Sequence, residues 1–205
     1  AGGMGSETFQ AYARVNGINI TLDRAYEVKN GFLNKWREMY DYFAYCSSLC
    51  GPAGEVDTLQ HPRSGLVRGK VRYTATCNFF FQHLAAMGAK QALYEVVREC
   101  YLGIDRAGDP TALAGCRPWL FAHDEIGMEI PYDGDRASDA AERLRTVMVR
   151  EMKHYCPDVP IGASVAMCRR WYKGAKAVRD DRGTLLPCKP QKDAQGRTKW
   201  VADLS

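Results

Sequence analysis

"WLFAHDEIGMEIP", from Trp119 to Pro131, sets His123, Asp124 and Glu125 between two apolar half-strands. An acidic turn in water is easily accommodated. Beside a core it is costly unless a cation or another partner meets it, because ionised groups lose hydration there. The stretch is read as a β-hairpin with the acidic residues at its tip, and both flanking strands are expected to be buried. Adjacent residues at such a tip point to different faces, so one carboxylate can ligate a metal while the other lies beside it. This donor set suits Mg2+, which keeps several waters and takes one or two protein carboxylates alongside substrate phosphates. It also fits two-metal phosphoryl or nucleotidyl transfer. The competing reading is a solvated acidic turn.

Upstream, "HPRSGLVRGKVRYTATCN" (61–78) carries Arg63, Arg68, Lys70 and Arg72 in a glycine-punctuated region. Strand alternation is expected to put Arg68, Lys70 and Arg72 on one face. Such a face can follow a phosphate backbone, and the competing reading is a solvated strand face. "CNFFFQHLAAMGAK" (77–90) follows, with Asn78 and Gln82 four residues apart. On a helix they share a face, where side-chain amides can reach the minor groove of a duplex. Alone, two amides on a helix carry little information.

The remaining pattern points to α+β: a small antiparallel sheet packed by long helices. A short helix is expected from Ser6 to Arg14, capped by Ser6, and a long one capped by Thr21. The apolar stripe of the latter runs through Leu22, Tyr26, Phe32, Leu33, Trp36, Met39, Tyr40 and Phe43, with Gly31 as its interruption. A β region spans Val56–Tyr73 with "HPRSG" as its turn. A second long helix starts at Thr76 or Asn78 and reaches about Tyr101, and a third is capped by Ser138 and ends at Tyr155. "VPIGASVAMC" (159–168) alternates like a strand, and the polar stretch beyond Lys176 reads as turn or linker.

Composition bounds the function. The 205 residues are 46% hydrophobic, enough for one sizeable core with room for a smaller lobe. A formal charge of +4 permits a nucleic-acid partner without requiring one. Eight cysteines stand at 46, 50, 77, 100, 116, 156, 168 and 188 with no C-x-x-C pair, and are read as reduced packing thiols of a cytoplasmic protein. No apolar run approaches the length of a membrane span, so no membrane partner is expected.

Together these segments resemble the family A DNA polymerases, the group of bacterial polymerase I and many phage replicases. "HDE" between apolar strands is similar to the family's motif C. "NFFFQHLAAMGAKQAL" resembles its N-x-x-x-Q-G-x-x-A-D helix. "GGMGSETFQAYAR" resembles the tail of motif B, and "YCPDVPIGASVAMCRRW" the closing strand. The likeness covers about residues 1–176 in the family's order. It implies that 1–55 are the C-terminal part of the fingers, 56–176 the palm, and 177–205 a polar tail. It implies that Asp124 binds catalytic Mg2+, with Glu125 beside it as a weaker ligand, and that His123 contacts the primer strand. Gln82 and Asn78 would read the minor groove of the nascent pair, and Arg63 and Arg72 would contact the backbone. Primer-template DNA, a deoxynucleoside triphosphate and the upstream part of the polymerase are the implied partners, in the cytoplasm, or the host cytoplasm if viral.

Four departures stand out. His83 occupies the usual glycine position, Met87 the usual acidic one, and Gly2 the position of a tyrosine in polymerase I. No "DYSxxE" string of motif A occurs, and the motif B lysine and arginine would lie upstream of Ala1. The chain therefore reads as starting inside motif B. Two alternatives are a non-catalytic DNA-binding half of a split polymerase and a small metal-dependent nuclease using Asp124 and Glu125.

Overall fold

The computed structural model describes residues 3–204. Their class is α+β, with five α-helices and antiparallel two-stranded sheets. The chain divides into two compact units, one running through Leu84 and the other from Ala85. That division falls inside a helix, away from the expected boundaries at residues 55 and 176. None of the described helices is long and apolar enough to cross a membrane.

The first unit opens with α1 (Ser6–Val15), α2 (Leu22–Lys35) and α3 (Glu38–Ser48). Ser6 is not the cap of α1. Gly5 holds that place, and Ser6 is buried in the first turn with no partner for its hydroxyl among the described residues. Thr21 does cap α2, accepting the amide of Arg24 at 3.2 Å. The expected single long helix breaks at Trp36, whose backbone leaves the helical region (φ −123°, ψ 73°), while Gly31 stays inside α2. Tyr26, Trp36 and Tyr40 of the supposed stripe are exposed, so no continuous apolar seam holds the two helices in line.

β1 (Glu55–Gln60) and β2 (Val67–Arg72) form an antiparallel hairpin, and α4 (Tyr73–Leu102) begins directly after it. Val56, Leu59 and Val71 pack with Phe79 of α4 as this unit's small core. His61 is buried and shapes the turn. Its Nδ1 accepts the amides of Arg63 and Ser64, so Nε2 carries the proton donated to the Phe80 carbonyl at 3.2 Å.

In the second unit the rest of α4 is followed by β3 (Arg117–Ala122) and β4 (Glu125–Glu129), then α5 (Asp135–Tyr155). Ala92, Val96 and Cys100 of α4 pack with Leu113, Cys116, Ile126 and the Ala140, Leu144 and Val147 face of α5. The two helices approach closely at Gly88, where a Cβ would lie 2.6 Å from the sulfur of Met152. Ser138 is not the cap of α5; Gly134 is, and the Ser138 hydroxyl, one turn inside, accepts the amide of Leu185 at 2.9 Å.

Three further expectations are corrected here. No multi-stranded sheet forms among the described residues, because every ladder joins one strand to its neighbour in sequence. Residues 161–167 alternate in burial, but the stretch 159–168 lacks a ladder partner among the described residues, apart from a single parallel bridge between Met167 and Pro187. The polar tail, in contrast, is folded: β5 (Val178–Arg179) pairs with β6 (Leu185–Leu186), and β7 (Cys188–Lys192) with β8 (Thr198–Ala202). Its acidic residues make the turns. Asp180 accepts the amides of Arg182 and Thr184, and Asp193 those of Gln195 and Arg197, the self-bonding that suits aspartate to turns.

Candidate metal and nucleic-acid site

The hairpin of β3 and β4 turns at His123 and Asp124, with Ala122 paired to Glu125 across it. His123 takes the left-handed conformation (φ 56°) that a two-residue hairpin turn demands. His123, Asp124 and Glu125 are all exposed. The strands are less buried than their apolar character implied. Ile126 is buried, but Trp119 is 52% exposed and Phe121 38%. Gly127 makes room for this packing, since a Cβ there would meet Cβ of Leu120 at 2.9 Å.

The two carboxylates differ. Glu125 begins β4 and its Oε1 accepts the indole N–H of Trp171 at 3.2 Å. Asp124 makes no hydrogen bond or ion pair among the described residues. One open carboxylate with a second beside it fits a Mg2+ ion that draws its other ligands from water and phosphate. Among the described residues no group of three or more His, Cys, Asp and Glu side chains could hold a metal by itself.

The basic hairpin belongs to the first unit. Arg63, Arg68, Lys70 and Arg72 are exposed, but regular alternation does not carry the last three onto one face. Val56 and Leu59 are both buried although three apart, and Lys70, with φ 52°, lies at the break in the opposite strand. Arg68 pairs with Leu59, and Arg72 with Glu55. Two of the cations meet carboxylates of their own hairpin: Lys70 binds Asp57, and Arg72 binds Glu55 at 3.3 Å. The Asp57 carboxyl is held below its ordinary range by the Lys70 ammonium bonded to it. Arg68 has no such partner among the described residues.

On α4, Asn78 turns its amide back to the Thr74 carbonyl at 3.1 Å, whereas Gln82 is exposed with no partner among the described residues. Asn78 and Gln82 belong to the first unit, and His123, Asp124 and Glu125 to the second. His83 lies 2.6 Å from the Ser64 hydroxyl and stacks on Phe79 with ring centroids 5.5 Å apart. Gly2 lies outside the described residues.

A second charged constellation, which the sequence reading missed, lies inside the second unit. Glu95, Glu99 and Glu151 are buried, and Glu99 is 0% exposed. Arg143 clamps Glu99 with two bonds of 2.7 and 2.8 Å and reaches Asp105 at 3.2 Å, and Thr111 donates to Glu99 at 2.7 Å. Arg106 bridges Glu95 at 2.7 Å and Glu151 at 3.0 Å, while Arg98 binds Glu95 and Arg150 binds Glu151. Burial pushes the Glu95 carboxyl up, but its bonds to Arg106 and Arg98 outweigh that and leave it below the usual carboxylate range. Opposite in sign and bonded on most sides, these groups brace the helices instead of presenting a reactive carboxylate. The signal in the sequence was two glutamates four apart inside the apolar stripe of α4, facing arginines seven apart on α5.

No family model, curated protein or solved structure matches the chain.

Proposed function

We propose that the chain is the palm-and-fingers part of a family A DNA polymerase and performs template-directed nucleotidyl transfer once motif A is supplied by an upstream segment. The observation that carries this reading is the His123-Asp124-Glu125 turn at the end of a half-buried hairpin, with an open carboxylate at Asp124. The Trp171 bond to Glu125 adds support, because Trp171 ends the stretch 155–171 that resembles the family's closing strand. Asp124 would hold Mg2+, with Glu125 alongside. The ion would polarise the triphosphate and lower the pKa of the primer hydroxyl. His123 would position the primer strand. Gln82, and Asn78 after leaving Thr74, would donate to the minor-groove acceptors that every base pair presents, which checks pair shape without reading sequence. Arg63, Arg68 and Arg72 would contact phosphates. A deoxynucleoside triphosphate and primer-template DNA are the substrates, and the cytoplasm, of a host if the source is viral, is the expected compartment.

A self-sufficient nuclease fits less well, since two-metal hydrolysis needs more carboxylates around the ions than the one open group at this tip. The test is primer extension with Mg2+ and all four nucleotides, with and without an upstream segment bearing motif A and the rest of motif B. The isolated chain should not extend the primer, the completed enzyme should, and Asp124→Ala should stop it. Extension by the isolated chain, or by the Asp124→Ala complex, would overturn the assignment.

A further inference from the structure

Cys168 and Cys188 are twenty residues apart in sequence, yet their sulfur atoms lie 3.5 Å apart. The backbone explains the approach. Met167 and Pro187 form a parallel bridge, and the Cys188 amide donates to the Met167 carbonyl at 2.7 Å. The two cysteines are the next residues along these bridged segments. Adjacent strands run about 4.8 Å apart, inside the Cα separation of about 4.4–6.8 Å that a disulfide spans. Residues at matching positions of two parallel segments also point to the same side.

Both thiols are free. They differ in exposure: Cys188 is 0% exposed and Cys168 is half-buried. Cys188 also donates to the Lys176 carbonyl at 3.3 Å. Burial, together with the bond to Cys168, pushes its thiol up to about 12. Its own thiolate is therefore scarce, and attack on an oxidant falls to the more accessible partner. Lys176 lines a cavity of about 410 Å³ whose wall also carries Arg145 and Arg179. Three cations there, with Glu142 bonded to both arginines, leave a positive surface that draws anionic solutes.

We propose that Cys168 and Cys188 form a reversible dithiol–disulfide site, with Cys168 as the attacking thiol and Cys188 as the resolving one. The oxidant is an anionic low-molecular-weight disulfide of the glutathione class. The Cys168 thiolate attacks one sulfur of the oxidant, forms a mixed disulfide and releases one thiolate. Cys188 then attacks the Cys168 sulfur, the second small thiolate leaves, and it takes up the Cys188 proton. Two protein thiols are oxidised and one small disulfide is reduced to two thiols. The bond closes the segment 169–187, which carries both Trp171 and the cavity's Lys176 and Arg179.

The folded chain is incubated with glutathione disulfide, quenched with iodoacetamide, digested without reduction and read by mass spectrometry. The expected product is a Cys168–Cys188 cross-linked peptide lighter by two hydrogens and reversed by dithiothreitol. Its formation should raise Tm by roughly 5–10 °C, as expected for a loop of this size in a chain of this length. Cys168→Ser should abolish the cross-link. Cys188→Ala should stop at a glutathione adduct on Cys168; should that variant not fold, the wild-type peptide map decides alone. A stable adduct on Cys168 with Cys188 unreacted in the wild type, a cross-link to any other cysteine in place of this one, or no reaction at either position would overturn the proposal.

Discussion

Two carboxylate pairs of the second unit, Glu95 with Glu99 and Asp124 with Glu125, invite opposite treatment by their surroundings. The pair on α4 is buried and met by four arginines, counting those bonded directly or through Glu151. The pair on the hairpin is exposed, and only Glu125 has a partner, the Trp171 indole. Removing charge from the first pair leaves Arg98 and Arg143, both partly buried, without their glutamate partners. Removing Asp124 leaves nothing uncompensated, because nothing in the described chain depends on it. Carboxylates that are fully bonded hold the fold, and the open one is available to a ligand.

The largest expected effect tests that separation directly. On the proposed function, Asp124→Ala in the completed enzyme should lower the nucleotide-addition rate by roughly 10²–10⁴-fold, the equivalent of several kcal/mol of lost metal stabilisation. Its urea midpoint should not move, since a surface substitution without partners changes stability by about 0.5 kcal/mol or less. An equal loss of stability and activity would erase the distinction between the pairs.

Arg143→Ala should do the reverse. It strands Glu99, which is 0% exposed, and should cost about 3 kcal/mol in urea denaturation, the low end for a broken buried pair because the Arg143 side chain is 24% exposed. Arg143→Met with Glu99→Leu should recover much of that loss, because the pair is removed together. The pair also sets an acid limit. The folded Glu95 carboxyl lies below its unfolded value of about 4.3. Its contribution is therefore complete above about pH 4.3 and disappears as the pH falls through the depressed folded value. Thermal melts between pH 7 and 3 should show Tm falling in the acid range, and replacing Glu95 with Gln should flatten that fall.

Smaller effects are expected at the side chains of the first unit that the proposed function places against DNA. Arg68→Ala should reduce the slope of log K against log salt for duplex binding by about 0.9, the value of one released counterion. Lys70→Ala with Asp57→Ala should leave the slope unchanged, because those charges already neutralise each other. Equal slopes for both variants would mean that the internal ion pair opens on DNA. Gln82→Ala should weaken primer-template binding least, by about 0.5–1.5 kcal/mol, the value of one neutral hydrogen bond. A filter-binding series at fixed salt checks it.

The acidic hairpin and the basic hairpin were legible because each is local: two neighbouring strands joined by one short turn. The helix of Gln82 was legible from its periodicity, although it starts at Tyr73, earlier than Thr76 or Asn78. Three features escaped. The tail reads as linker because its strands are short and polar, and they hold together through Asp180 and Asp193, whose turn-forming bonds leave no apolar pattern. Residues 161–167 alternate in burial as a strand should, yet alternation records only which side faces the interior and says nothing of whether a neighbouring strand lies alongside. The glutamate–arginine brace was hidden because Glu99 and Arg143 are 44 residues apart, and no local rule pairs them.

That every strand among the described residues pairs only with its sequence neighbour has a kinetic consequence. Hairpins close in about 1–10 μs, and none of these must wait for a distant strand. The slow event in the second unit is then the docking of α5 on α4, where Gly88 meets Met152 and Arg143 meets Glu99 across a long stretch of chain. Loop closure over that distance precedes any reward from the contacts it brings together. Substitutions at the α4–α5 contact should therefore slow refolding, while those in the hairpin turns should mainly quicken unfolding.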